Sequence, residues 1–154
     1  MVILSGGLFT ARAQKYSLYS DQTLTIDSKH IGQPIDLMLQ IPETLPFSAA
    51  NARYPITIVF DSQHERSYPH IVQSIDLLTS ETQVPEMIVV GIPFTFQNRY
   101  YLTSSQKMEG DKSSGIEKLE ALLFDELLPT LRQNHKGGDL VTLVGHSRTA
   151  FLVN

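Results

Sequence analysis

The sequence contains no cysteine, and this absence excludes disulfide bonds, thiolate metal sites and a cysteine nucleophile. No apolar stretch approaches the ~20 residues that a membrane-spanning helix requires. Lysine and arginine number 12 against 16 aspartate and glutamate residues, for a net charge of −4. The basic field that nucleic acid selects is therefore missing as well. We expect neither a nucleic acid nor a membrane as a partner.

The sequence also lacks the common motifs for phosphate and zinc. Gly6-Gly7 and Gly137-Gly138 do not stand in the context of a phosphate-binding loop. His64 and His70 are too loosely arranged for a zinc site, and the H-E-x-x-H spacing is absent. We therefore expect no cofactor and no metal.

A chain of 154 residues with 42% hydrophobic residues is typical of one globular domain. Residues 1–14 stand apart, because an apolar run over 2–9 precedes Ala11-Arg12-Ala13, which has the small-x-small pattern of a signal-peptidase site. This segment is either the remnant of an export signal or an N-terminal extension. The first alternative would place the protein in the periplasm or outside the cell. Residues 15–154 then form the folded domain.

Hydrophobic patterning over 15–154 predicts an α/β fold. Alternating apolar residues around 24–26 and 35–41 predict two antiparallel strands, and the prolines between 42 and 55 indicate a loop. Continuous β-branched runs over 56–60, 87–92 and 140–144 are typical of parallel strands buried on both faces. Helical spacing separates these runs over 71–78 and 116–131, and the second helix starts at a capping box formed by Ser114 and Glu117. We expect it to close at Asn134 and Gly137-Gly138. These patterns predict two antiparallel strands that lead into a doubly wound parallel sheet.

The segment Gly145-His146-Ser147-Arg148-Thr149 lies between the last buried strand and a short helical run over 150–153. A serine in a one-residue turn from strand to helix, flanked by small residues two positions away on each side, is the pattern of a nucleophile elbow. Thr149 occupies the position where glycine is commonest, so the turn should open slightly. The alternative is an ordinary loop in which Ser147 caps the helix.

From about residue 20 onward, an ordered series of segments resembles an esterase family of α/β-hydrolases. This family includes esterase D-like, siderophore, feruloyl and acetylxylan esterases and the mycolyltransferases. The segments are Y-P-I-T-I-V-F-D at 54–61, V-P-E-M-I-V-V-G-I at 84–92, N-R-Y-Y-L-T at 98–103, D-E-L-L-P at 125–129 and V-G-H-S at 144–147. Tyr101 and Ser104 depart from the family's R-x-x-D-L-T-P pattern.

The resemblance implies a serine ester hydrolase in which Ser147 forms an acyl-enzyme with a small-molecule, carbohydrate or siderophore ester. It implies an oxyanion hole from the backbone N–H of Arg148 and one N–H at Ser62 or Gln63. Arg99 would hold a substrate group or pair with a carboxylate. Tyr100, with Tyr101, would line the substrate cleft or pack against neighbouring residues. Asp61 is expected to cap the following loop or helix.

The family order places the triad acid and histidine after the serine, yet the seven residues after Ser147 contain neither. Of the five histidines, all precede it, and His64 is the one we consider able to approach Ser147. The sequence therefore predicts the N-terminal part of such a domain, truncated after the elbow and with little or no activity alone. The strand at 140–144 would leave an open sheet edge through which copies could associate. A catalytically dead binding module and a mycolyl-type acyltransferase are the alternatives.

Overall fold

The computed structural model describes residues 19–154, so the export-signal prediction for residues 1–14 lies outside the described residues. A five-stranded mixed sheet has the order β1-β2-β4-β3-β5. Its strands are β1 (Tyr19–Ser28), β2 (Gln33–Pro42), β3 (Tyr54–Phe60), β4 (Ile88–Ile92) and β5 (Gly137–Val144). The pairs β1–β2 and β2–β4 are antiparallel, whereas β3 runs parallel to β4 and β5. The predicted fold class is confirmed.

Helices cover both faces of the sheet, as the continuous apolar strands predict. They are α1 (Ser67–Ser80), α2 (Phe96–Leu102), α3 (Gly115–Ala121) and α4 (Leu128–Asn134), with a π-helical segment at Leu122–Leu127 joining the last two. Ile56, Ile58 and Phe60 belong to the larger core with the buried leucines of α3 and α4. Val59 and Val89 face the other side and pack with Tyr68 of α1. Alternate residues of one strand therefore supply two cores.

The long helical region starts where the sequence predicts. Ser114 Oγ accepts the Glu117 N–H at 3.3 Å, and Glu117 Oε2 accepts the Ser114 N–H at 2.6 Å. The capping box is thus present in both directions. The π-helical segment ends two residues before Pro129, which has no N–H to continue the regular hydrogen-bond ladder.

Three local features differ from the expectations. Residues 96–102 form helix α2, for which the sequence patterns predict no element; Thr95 Oγ1 accepts the Asn98 N–H and caps its first turn. Strand β5 begins at Gly137 and not at Leu140, so the glycines extend the sheet instead of closing the helix. A Cβ at Gly137 would lie 2.9 Å from Ile56 Cδ1, so glycine permits the close approach of β5 to β3. The last element is a 3₁₀ helix, Ser147–Phe151.

No helix among residues 19–154 is long and apolar enough to cross a membrane. Strand β5 lies at the edge of the described sheet, where its neighbour is β3. Leu140 on this strand is 66% exposed.

Candidate active site

Ser147 lies on an exposed turn directly after β5, at the carboxyl edge of the parallel strands. Its backbone is left-handed, with φ of 55°. For a residue other than glycine this conformation costs about 1–3 kcal/mol, and such strain concentrates at functional sites. The N-cap of the 3₁₀ helix is His146, which rules out Ser147 as the cap. The local geometry is that of a tight strand-to-helix turn with its serine at the apex.

Gly145 is required by the close return of the chain. A Cβ at this position would lie 2.4 Å from the backbone oxygen of Thr149 and 2.7 Å from its carbonyl carbon. Real Cβ atoms essentially never come so close to backbone atoms, so any side chain here would force the turn to move. This explains the need for a small residue two positions before Ser147.

Thr149 is completely buried, and its hydroxyl group is fully used. Oγ1 accepts the backbone N–H of His146 at 2.8 Å and donates to Asp61 Oδ2 at 2.8 Å. The carbonyl oxygen of His146, 3.0 Å away, is its alternative acceptor. The threonine that replaces the usual glycine therefore ties the two ends of the turn together and links them to β3.

Asp61 follows β3 and is 5% exposed, with φ of 60°. Arg99 of α2 donates to both of its carboxylate oxygens, from Nε at 2.6 Å and from NH2 at 3.0 Å. Gln63 Nε2 donates to Oδ1 at 3.2 Å, and Arg99 NH2 also reaches the His146 carbonyl oxygen at 3.3 Å. Asp61 does not cap α1, which has no side-chain cap; its carboxylate binds Arg99, Thr149 and, in the loop that follows β3, Gln63.

These contacts determine the charge state of the pair. Burial alone would raise the pKa of Asp61, but hydrogen bonds from Arg99, Thr149 and Gln63 outweigh it and hold the pKa below its ordinary value. The hydrogen bond to Asp61 raises the pKa of Arg99. Both groups are therefore ionised at neutral pH, and the buried carboxylate is fully paired.

Of the two expected oxyanion donors after β3, the geometry leaves one available. The Ser62 N–H already donates to the Ile92 carbonyl oxygen at 3.2 Å, which joins the ends of β3 and β4. This engagement argues against Ser62. Gln63 is exposed, and its side-chain oxygen accepts the Phe94 N–H at 2.9 Å, which fixes the loop. Arg148 lies in the first turn of the 3₁₀ helix, where backbone N–H groups have no acceptor within the helix.

Two exposed aromatic residues of α2 lie beside the elbow. Tyr100 and Phe96 make an edge-to-face contact with ring centroids 5.0 Å apart. The guanidinium of Arg148 stacks over the Tyr100 ring at 4.4 Å. Tyr101 is directed elsewhere, since its hydroxyl donates to Asp111 at 2.6 Å and also contacts Lys118. Tyr100 thus adjoins the serine turn, whereas Tyr101 anchors the loop before α3.

A half-open cavity of about 360 Å³ lies at the same sheet edge. Gln63 and Asn98 contribute polar groups to its wall, and Phe94, Leu102 and Leu119 contribute apolar ones. Its volume is within the range of small-molecule sites. No hydrogen bond within residues 19–154 joins Ser147 to a histidine, and no group of three metal-ligating side chains occurs in that range.

The sequence did not reveal that Asp61, Arg99 and Thr149 form one cluster. The only signal was the aspartate at the end of a buried strand and a threonine where glycine is usual. The contacts join residues that are 38 and 88 positions apart in the chain, and no rule of sequence spacing predicts contacts at such separations.

A family model described as "Putative esterase" matches residues 28–153 of the chain. The chain belongs to this family. The match to the Putative esterase family includes every element from β2 to the Ser147 turn, which confirms the resemblance stated above. No curated protein matches the chain.

Solved structures have the same fold. An IroE-like serine hydrolase from Shewanella oneidensis is similar with a TM-score of 0.72 and 21% identity, over 86% of this chain and 44% of that one. The BES protein from Bacillus cereus is similar with a TM-score of 0.68 and 19% identity, over 93% and 57%. The ferulic acid esterase AmCE1/Fae1A from Anaeromyces mucronatus, in complex with ferulic acid, is similar with a TM-score of 0.63 and 16% identity, over 93% of this chain and 54% of that one. The chain spans about half the length of these structures.

Proposed function

We propose that the chain carries the nucleophile-bearing part of a serine carboxylic-ester hydrolase. The observation that carries the proposal is the left-handed Ser147, held at the apex of a turn that only a glycine at position 145 permits. Membership of the Putative esterase family supports ester hydrolysis as the chemistry. Oγ of Ser147 attacks the ester carbonyl carbon, the alcohol leaves, and water releases the acid from the acyl-enzyme.

The backbone N–H groups of Arg148 and Gln63 are the proposed oxyanion donors, a role in which one donor contributes about 3 kcal/mol to the barrier. A base must remove the hydroxyl proton of Ser147, and no histidine of residues 19–154 is hydrogen-bonded to that residue. We therefore expect the 154-residue chain by itself to react slowly.

The surroundings of Ser147 favour a small-molecule ester with a flat acyl group. Tyr100 is 47% exposed and offers a ring face beside Arg148. Two structures with the same fold were obtained with such compounds: the Anaeromyces mucronatus esterase in complex with ferulic acid, and the enterobactin esterase of Shigella flexneri in the presence of 2,3-dihydroxy-N-benzoylserine. A role for Arg99 as a substrate ligand stays a prediction, since its guanidinium already binds Asp61.

The test is labelling with a fluorophosphonate probe at increasing concentrations of imidazole, which can serve as an external base. We expect the labelling rate of the 154-residue chain to increase with imidazole and the label to be on Ser147. Ser147→Ala should abolish the label, whereas Ser105→Ala, at an exposed serine elsewhere, should keep it. A folded chain that remains unlabelled at every imidazole concentration would contradict the proposal and favour a binding module.

A further inference from the structure

The Ser147 turn has few apolar contacts to hold its strained conformation. Ser147 and His146 are exposed, and the 3₁₀ helix that follows has a single buried residue, Thr149. A residue in the left-handed region persists only when its surroundings over-determine it. Val144 before the turn and Leu152 and Val153 after it pack against the cores, but within the turn the restraint comes from polar contacts, and these converge on Thr149.

Three buried or half-buried side chains supply this restraint, and we name them the Asp61 cluster: Asp61, Arg99 and Thr149. Thr149 accepts the His146 N–H before the serine and donates to Asp61, the residue after β3. Arg99 reaches the same backbone from α2, through the His146 carbonyl oxygen. The peptide group on each side of His146 is thus held by a different element of the fold.

We propose that the Asp61 cluster is a positioning device that holds Ser147 in its reactive left-handed conformation, with Thr149 as the residue that couples the turn to β3. The nucleophilic role of Ser147 rests on the proposed function, but the conformational role of the cluster does not. None of the three residues contacts the reacting atoms. The three residues act by fixing the backbone that carries the hydroxyl group of Ser147.

Charge and packing explain why these residue types are needed. The planar guanidinium of Arg99 donates two parallel hydrogen bonds to Asp61, which a lysine ammonium cannot reproduce. Glycine at position 149 would leave Asp61 Oδ2 and the His146 N–H without their shared partner. Serine would keep the hydroxyl, whereas valine would keep the shape and lose the hydroxyl.

The test compares Thr149→Val with Thr149→Ser by hydrogen–deuterium exchange of single backbone amides. The informative amides are those of residue 149 and Leu152, because neither loses its own acceptor in these variants. We expect Thr149→Val to speed their exchange about tenfold, as for one lost hydrogen bond that leaves buried groups unpaired. In Thr149→Ser, both amides should exchange at nearly the rate of the unmodified chain.

The matched control is Thr130→Val, which removes a threonine hydroxyl bonded at 2.7 Å to the Glu126 carbonyl oxygen in the helical region far from the turn. A loss of global stability would speed exchange similarly in both valine variants. Equal exchange at residue 149 and Leu152 in Thr149→Val and Thr130→Val would overturn the proposal. If Thr149→Val does not fold, Arg99→Lys provides the same comparison, with faster exchange at these two amides expected.

Fluorophosphonate labelling with imidazole separates this inference from the proposed function. If the unmodified chain is labelled at Ser147, Thr149→Val should be labelled at least tenfold more slowly and Thr149→Ser should recover most of the rate. Labelling of Thr149→Val at the unmodified rate would overturn the positioning role. If no variant is labelled but Thr149→Val exchanges faster, the proposed function fails while the conformational role stands.

Discussion

At the scale of single residues, the buried carboxylate of Asp61 determines the contacts that two neighbouring side chains make. It binds the guanidinium of Arg99 in an ion pair, and it accepts the hydrogen bond that the hydroxyl group of Thr149 donates. A buried ion pair is costly to break when one member remains, because an uncompensated charge is left behind. The stability of the domain should therefore depend on the ionisation of this one group.

We expect Asp61→Asn to lower the free energy of unfolding at pH 7, because the charge that pairs with Arg99 is lost. The pKa of Asp61 is lowered in the folded protein, so its contribution is fully present above the unfolded value of 3.8. That contribution disappears as the pH falls through the lower folded pKa. The stability difference between the variant and the original chain should thus shrink below about pH 4, as measured by urea denaturation across pH 2–7.

Asp139→Asn is the matched control, since this carboxylate is fully exposed and lies 3.6 Å from Arg132. Exposed ion pairs contribute little to stability, so this variant should follow the original chain at every pH. A constant difference between Asp61→Asn and the original chain from pH 7 to pH 2 would contradict the assigned ionisation.

At the scale of elements, the order of strands and most helices could be predicted because hydrophobic periodicity is a local property. The runs at 56–60 and 87–92 became β3 and β4 with nearly the same bounds. Helix α2 was missed because its signal is a short cap, Thr95 with Asn98, and not a periodic apolar stripe. The early start of β5 was missed because two glycines usually indicate a break, whereas here they permit close packing.

The strand-to-helix turn gives the element-scale prediction. Gly145→Ala should destabilise the domain by about 1–3 kcal/mol, as overpacking does, and should remove Ser147 labelling, because the new Cβ would displace the Thr149 backbone. The comparison is Gly32→Ala in the β1–β2 turn, where no atom lies within 4 Å of the new Cβ but φ of 81° strains an alanine; this variant should also lose stability, yet keep the Ser147 labelling. Thermal unfolding and labelling measure the two effects. Unchanged labelling in Gly145→Ala would contradict the prediction, because it would mean that a Cβ at position 145 does not displace the turn.

At the scale of the whole molecule, the placement of the candidate site follows from the strand order. The chain passes from β3 to β4 on one side and then crosses β3 to reach β5 on the other. Crevices for ligands open at such switch points, at the carboxyl ends of the strands. The fold class was predictable from the alternation of strands and helices, but the contacts that unite Asp61, Arg99 and Thr149 required the three-dimensional structure.

The edge strand β5 leads to a prediction about self-association. Edge strands offer unpaired backbone groups to other chains, and charged side chains discourage such pairing. Leu140→Lys on β5 should therefore reduce concentration-dependent association, as measured by light scattering. Leu77→Lys on α1, where the leucine is 62% exposed, makes the same chemical change away from the edge. Equal effects of the two substitutions would contradict association through β5.

The sequence distances within the Asp61 cluster also bear on the order of folding. The Asp61–Arg99 pair closes a segment of 38 residues, whereas the Asp61–Thr149 contact closes one of 88 residues. The entropic cost of closing a loop increases with its length, so we expect the ion pair to form before β5 arrives. During synthesis, the ribosome would release the serine turn after the carboxylate that receives it is already in place. The reactive conformation of Ser147 would then form after the Asp61–Arg99 ion pair.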